Sequence, residues 1–432
     1  MLSCYALLPL AFQFLKFPVV GLLLLGLALF ARELLPFLRQ SRLGWVLPPL
    51  MLIYAYGLFV AALQSNPMDL ALQDAAGFPL YLMFPVAVLF LRHWSPARIR
   101  WLVMVIAQAI ALVHLAAYVA FHLIAGELNF TTMTAANLWL KSIGFTAEFA
   151  ASSGLLRVNF GIGPLLVYGL LVCAHDVLFT PAGLCSGPRR LVMIAWGLIF
   201  GLAIFVEGHR SLIVTAVLGL LVMTFVARRR FAPDLRTLAV ALLISGAGMV
   251  GFTVLAQSSG ALDLSAVTER LASLMDFGGG KLAGDDEREE QFSALLDKID
   301  EAPVSGHGFG TSARVIRSDT RPFMYELDLL AVWMKLGAVL AMAYLALTVI
   351  PALRASLAVL HGQAHPALAP VCGFSVALLF HMSSNGGYAM SPFSTLSHVI
   401  VFLLLERGLE ERMSAQGAAD SIAVSPASRG GA

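Results

Sequence analysis

The sequence predicts an all-α polytopic membrane protein with eleven transmembrane helices, or twelve if the first apolar run is a hairpin. Three observations lead there. The chain is 59% hydrophobic and only 12% charged, whereas a soluble domain carries about 25% charged residues. Apolar runs of spanning length, about 20 residues, recur from end to end with short loops between them. Lys and Arg fall in alternate loops, which is the bias that orients a polytopic chain.

In order, the expected spans lie near 5–31, 44–64, 77–92, 100–124, 160–179, 190–207, 211–227, 237–256, 329–352, 367–383 and 392–406. Lys16 and Pro18 interrupt the first run, so a short hairpin is the alternative there. The N-terminus has no basic n-region and no clear cleavage site, which favours a retained span over a signal peptide. The loops "RELLPFLRQSR", "RHWSPARIR", "SGPRR" and "RRRFAPDLR" are basic, and one orientation puts all of them on the cytoplasmic side. The chain then divides into membrane helices over 1–256, an external loop over 257–328, C-terminal membrane helices over 329–406, and a polar tail over 407–432 expected to be disordered and cytoplasmic. Cys4, Cys173, Cys185 and Cys372 have no metal-ligand spacing and read as free thiols. The net charge of +2 says little by itself, and no nucleic-acid partner is expected.

The stretch "VEGHRSLI" (206–213) joins two apolar runs with almost no loop. Glu207, His209 and Arg210 therefore stand at the outer end of a tight helical hairpin, on the side where arginine is disfavoured. A snorkelling side chain would account for one such cation. The same face also gathers Arg157, Arg270, Arg288, Arg314, Arg317 and Arg321. An anionic ligand at the outer leaflet accounts for the group.

The segment 257–328 is too small for a deep core of its own and is expected to fold onto the membrane helices. Within it "DDEREEQFSALLDKIDEAP" (285–303) is amphipathic, with Phe292, Leu295, Leu296, Ile299 and Ala302 on one helical face. Acidic residues crowd its first turn, as the helix dipole prefers. Arg288 is the exception: it either pairs with a nearby carboxylate or joins the helix N-terminus in binding an anion. In "PVSGHGFGTS" (303–312), Gly306, Gly308 and Gly310 alternate with His307 and Phe309, a pattern that lets the backbone approach something closely. Without a GK[ST] it is a weak phosphate-loop signal, and a lone loop histidine such as His307 is more often structural than a base. Glu326 and Asp328 stand at the outer mouth of the next span, and Lys335 lies within its apolar part, where pairing with a carboxylate would explain it.

"RSLIVTAVLG", then R-x14-P-x2-G-x-G-x-G (Arg288, Pro303, Gly306, Gly308, Gly310), then E-x10-G (Glu326 to Gly337) resembles, in order and spacing, the O-antigen ligase and polymerase superfamily. The resemblance covers about residues 200–340. It implies a bacterial inner-membrane glycosyltransferase of GT-C-like architecture, acting at the periplasmic face on undecaprenyl-diphosphate-linked glycans without metal or other cofactor. On that resemblance Arg210 and Arg288 hold the donor diphosphate, and Glu326 occupies the position that is His in the ligases. A carboxylate there is compatible with the polymerases. His209, His307, Arg157, Arg270, Arg321 and Asp328 are the supporting candidates.

The chemistry agrees with such a site. Breaking a glycosyl–diphosphate bond builds negative charge on the leaving group, and arginines suit it by fork geometry and fixed charge. The acceptor hydroxyl needs a proton acceptor, for which Glu326 is the candidate. Direct displacement inverts the anomeric centre, and no carboxylate pair is placed for retention. The expected function is a polysaccharide polymerase, with donor and acceptor glycans, the bilayer, and a chain-length regulator or export machinery as partners. An O-antigen ligase acting on lipid A-core is the alternative within the same chemistry. A transporter or flippase is the alternative of another class, disfavoured by ordinary span lengths and no clear inverted repeat. A structural subunit of an export complex is a further reading, in which no single outer arginine is essential.

Overall fold

The computed structural model describes residues 16–125, 134, 135, 137, 148–152, 155–159, 163–180, 187–207, 210–228, 285–316, 321–384 and 391–423. Its helices are α1 (Lys16–Leu29), α2 (Ala31–Gln40), α3 (Leu47–Leu63), α4 (Met68–Asp74), α5 (Met83–Phe90), α6 (Pro96–Ala125), α7 (Pro164–Leu178), α8 (Gly187–Glu207), α9 (Arg210–Ala227), α10 (Asp285–Glu301), α11 (Asp328–Leu360), α12 (Ala369–Ser384) and α13 (Pro392–Ala423). Proline opens α6, α7 and α13, where its missing N–H would have no helical partner in any case.

Four helical stretches are long and apolar enough to cross a membrane: Gly44–Leu63, Pro96–Phe121, Gly187–Glu207 and Asp328–Leu360. The pair Met68–Asp74 and Phe78–Phe90, bent by 44°, makes a fifth if it is one broken span. These are the helix lengths and composition of a membrane protein. Pro164–Leu178, Ser211–Ala227 and Pro366–Met382 are apolar but shorter. The described residues thus carry four or five helices of full spanning character where eleven spans were expected; the 237–256 span and the first part of the 5–31 run lie outside them.

Several local expectations change. The basic segment 32–42 is mostly the helix α2, whose Phe37 is buried. The expected disordered tail continues α13 through residues 407–423; a helix already packed along its first turns extends cheaply into residues such as Ala, Glu, Gln and Met. A small antiparallel ribbon, β1 (Glu148–Ser152) and β2 (Leu155–Asn159), with Ala150 opposite Arg157, accompanies the helices.

Close helix packing uses small residues. A Cβ on Gly373 of α12 would lie 2.5 Å from the Gly219 carbonyl of α9, so these two glycines let the helices touch backbone to backbone. At one end of the bundle, Glu406 of α13 accepts from the backbone N–H of Arg42 (3.0 Å) and Leu43 (2.9 Å). Its neighbour Arg407 donates to the carbonyls of Arg92 (3.1 Å) and Trp94 (2.8 Å). Two loops expected on the same side, 32–42 and 92–100, therefore meet at α13. From that end α3 runs about 25 Å, at 1.5 Å per residue, to the opposite end, where α10 and its following loop sit. Cys173 and Cys372 are buried free thiols, while Cys4 and Cys185 lie outside the described residues.

Candidate functional site

The site is built on α10. Gln291, Ala294, Leu295 and Ile299 are its buried residues, spaced i, i+3, i+4 and i+8. The last three pack with Ala313, Tyr325, Ala331 and Met334 into a small core between α10 and the start of α11. The expected apolar face is rotated: Phe292 is 48% exposed and polar Gln291 is buried in its place. The reason lies in the facing segment, because Gln291 Oε1 accepts the backbone N–H of Glu326 (3.2 Å). Burial pushes the Tyr325 phenol above its ordinary pKa, and its oxygen accepts from the Ala313 N–H.

The glycine-rich loop after α10 is a wedge in the helix bundle. Gly306, Gly308, Gly310 and Gly337 have φ of +70°, +79°, +75° and +75°, a region closed to most side chains. Gly337 breaks α11, with ψ at 165°, into helices over 328–336 and 338–360. A continuous helix would bond the Ala338 N–H to the Met334 carbonyl. Here Ala338 N–H donates instead to Pro303 (2.9 Å), while the Met334 and Lys335 carbonyls accept from His307 and Gly308 (2.9 Å each). The loop supplies the hydrogen bonds that the broken helix gives up.

The other side of the loop meets α3 and α4. Phe309 N–H donates to the Gly57 carbonyl (3.2 Å), and its ring packs on Phe78 at 5.6 Å. Gly57 lies six residues before the end of α3, so the loop reaches about 9 Å inward. Asn66 Nδ2 holds the carbonyls of His307 (2.8 Å) and Phe309 (3.0 Å). A Cβ on Gly308 would run into the Ala61 backbone, and one on Gly310 would lie 2.6 Å from the Ala71 nitrogen. What the glycines approach closely is therefore the protein's own backbone. Irregular backbone at this depth is tolerated because protein surrounds it. His307 is buried, and its Nε2 donates to the Lys298 carbonyl (2.7 Å), so its ring ties the loop to α10.

Lys335 finds the carboxylate expected for it in Asp74 of α4. The pair is buried at 2.7 Å, Lys335 Nζ also donates to the Phe323 carbonyl (2.9 Å), and the second Asp74 oxygen accepts from Gly310 N–H (2.9 Å). One ion pair thus locks α4, the glycine loop, the 321–327 segment and α11 together.

On this platform stands the contact that joins two of the sequence candidates. Arg288 Nε donates to Glu326 Oε2 at 2.5 Å, with the Arg288 side chain 52% exposed and the Glu326 side chain 19% exposed. Arg314 is exposed beside Ser293 (3.4 Å) and Asp297 (3.5 Å). Arg321 is exposed and reaches the Met324 sulfur (3.9 Å). Asp328 is buried at the start of α11. Arg210 opens α9; its side chain, the side chain of Arg157 on β2, and all of His209 and Arg270 lie outside the described residues.

Sequence reasoning missed Asp74, Gln291 and Asn66, whose partners lie far away in the chain. It also missed the role of Glu207. That side chain is fully buried at the end of α8, with His114 Nε2 of α6 at 3.5 Å, and a Cβ on Gly163 would collide with its carboxylate. Glu207 is an interior anchor of the hairpin, while the only sequence hint was a charge in an apolar stretch. Among the described residues no cluster of three His, Cys, Asp or Glu side chains is disposed to hold a metal. The sequence matches no protein-family model and no curated protein.

Proposed function

We propose that the chain is a polysaccharide polymerase that joins undecaprenyl-diphosphate-linked oligosaccharide repeat units at the periplasmic face of a bacterial inner membrane, with inversion and without a metal. The observation that carries the reading is the apposition of Arg288 and Glu326 at the mouth of a membrane helix. A permanently charged guanidinium and a carboxylate meet on backbone held by Gln291, by the glycine wedge and by the Lys335–Asp74 pair. Both residues belong to the ordered motifs that resemble the O-antigen ligase and polymerase superfamily. In this reading the eleven or twelve spans surround the platform, and residues 257–328 cover it from the periplasm.

In the reaction the acceptor hydroxyl oxygen attacks the anomeric carbon of the donor sugar. The bond from that carbon to the diphosphate oxygen breaks, and Glu326 takes the hydroxyl proton. Arg288, with Arg210 as its partner, stabilises the charge that collects on the departing diphosphate. Undecaprenyl diphosphate leaves and the chain lengthens by one repeat.

The test uses membranes holding the full chain and a polyprenyl-diphosphate-linked repeat unit. Wild type is expected to form a ladder of polymer, and Arg288→Ala to lose it by about 10²-fold or more at equal protein level, the scale for removing one charge-stabilising donor. Undiminished polymer from Arg288→Ala would overturn the reading. Transfer of glycan to added lipid A-core in place of a ladder would identify a ligase.

A further inference from the structure

Arg288 and Glu326 cannot both do their work while they hold one another. The contact at 2.5 Å uses the guanidinium that would grip phosphate and the carboxylate that would accept the proton. The geometry favours an exchange over a permanent bond. Half of the Arg288 side chain is exposed, so another anion can reach it. Glu326 is more enclosed, and its backbone N–H is fixed by Gln291 (3.2 Å). The helix that follows is pinned through Lys335 and Asp74 (2.7 Å). Removing the guanidinium would therefore leave the carboxylate in place.

Building on the function proposed above, we propose that Glu326 is the displaceable counter-ion of Arg288: a diphosphate takes the guanidinium, and the carboxylate is released from that contact. Carboxylate and phosphate oxygens compete for the same N–H donors. A diphosphate brings more charge and more acceptor oxygens than one glutamate. Donor binds first and acceptor activation follows. The exchange makes Glu326 a determinant of which anion the site accepts as well as its base.

The experiment measures anion binding to the full chain in lipid nanodiscs by calorimetry, with inorganic pyrophosphate and with geranylgeranyl diphosphate. Wild type, Glu326→Gln, Glu326→Ala, Arg288→Ala and the double variant Arg288→Ala/Glu326→Gln are compared. An exposed ion pair that must be broken for binding costs little, so Glu326→Gln should bind about two- to fivefold tighter than wild type. Glu326→Ala should gain similarly, which guards against a defect peculiar to one variant. The double variant should show no gain over Arg288→Ala. In turnover assays the same change should lower the donor KM while kcat falls, a split that a merely structural glutamate would not produce. A gain with pyrophosphate upholds an exchange driven by diphosphate alone; a gain with the lipid diphosphate only upholds one that needs the tail. Equal or weaker binding by both Glu326 variants would overturn the exchange while leaving the proposed function standing. Equal binding by Arg288→Ala and wild type would overturn both.

Discussion

Lys335 and Asp74 form a buried ion pair at 2.7 Å across 261 positions of sequence. The pair holds the glycine wedge against α4 and fixes the start of α11, on which the Arg288–Glu326 contact depends.

Breaking a buried pair from one side leaves a charge without its partner, at a cost of about 3–5 kcal/mol. Asp74→Asn and Lys335→Met should each lower the thermal unfolding midpoint of the detergent-solubilised protein. The double variant Asp74→Leu/Lys335→Met removes both charges and should recover much of the loss. A double variant no more stable than either single one would show that the pair's hydrogen bonds to Gly310 and Phe323 matter more than its charges.

The wedge predicts a contrast among glycines. Gly308→Ala and Gly337→Ala place a Cβ into backbone at positive φ and should disrupt the loop, with loss of activity and new protease cleavage between 302 and 327. Gly201, in α8, has nothing within 4 Å of the place an added methyl would take, so Gly201→Ala should be neutral or slightly stabilising. Proteolysis of intact membranes reads both outcomes.

Orientation is open to cysteine labelling with a membrane-impermeant reagent. Ile316 lies exposed between α10 and α11, and Arg228 lies exposed after α9. Ile316→Cys should label from the periplasm and Arg228→Cys only after the membrane is opened. The reverse pattern would place the arginine-bearing face in the cytoplasm and remove the rationale for a lipid-linked periplasmic donor.

Glu207 and His114 predict a difference between shape and loss. Glu207→Gln keeps the volume beside Gly163 and offers an amide to the imidazole. Glu207→Ala opens a cavity against the buried ring and removes its 3.5 Å contact, which should lower the unfolding midpoint. Unfolding midpoints ordered wild type, then Gln, then Ala are expected. Equal midpoints for Gln and Ala would mean that the hairpin end is held without this contact.

The amphipathic helix 285–301 was legible in the sequence because helical periodicity is local, but its facing was not. Phe292 has the spacing of a core residue, and the facing segment chose Gln291 instead, since a backbone N–H at Glu326 needed an acceptor more than the core needed a ring. Likewise the glycine pattern announces a close approach without naming what is approached. That partner is the backbone of α3, α4 and the broken α11, assembled from segments hundreds of residues apart.

By itself the sequence determined that this chain is helical and membrane-like, and that Arg288, the glycine loop, Glu326 and Gly337 stand in a particular order. Composition, periodicity and spacing are properties of neighbours along the chain, so they can be read without a fold. Only the tertiary structure decided that α11 breaks at Gly337, that Lys335 is answered by Asp74, and that Arg288 rests on Glu326. Each of these is a contest for partners among buried or half-buried polar groups. The winner is set by which groups the packed helices bring within hydrogen-bonding distance.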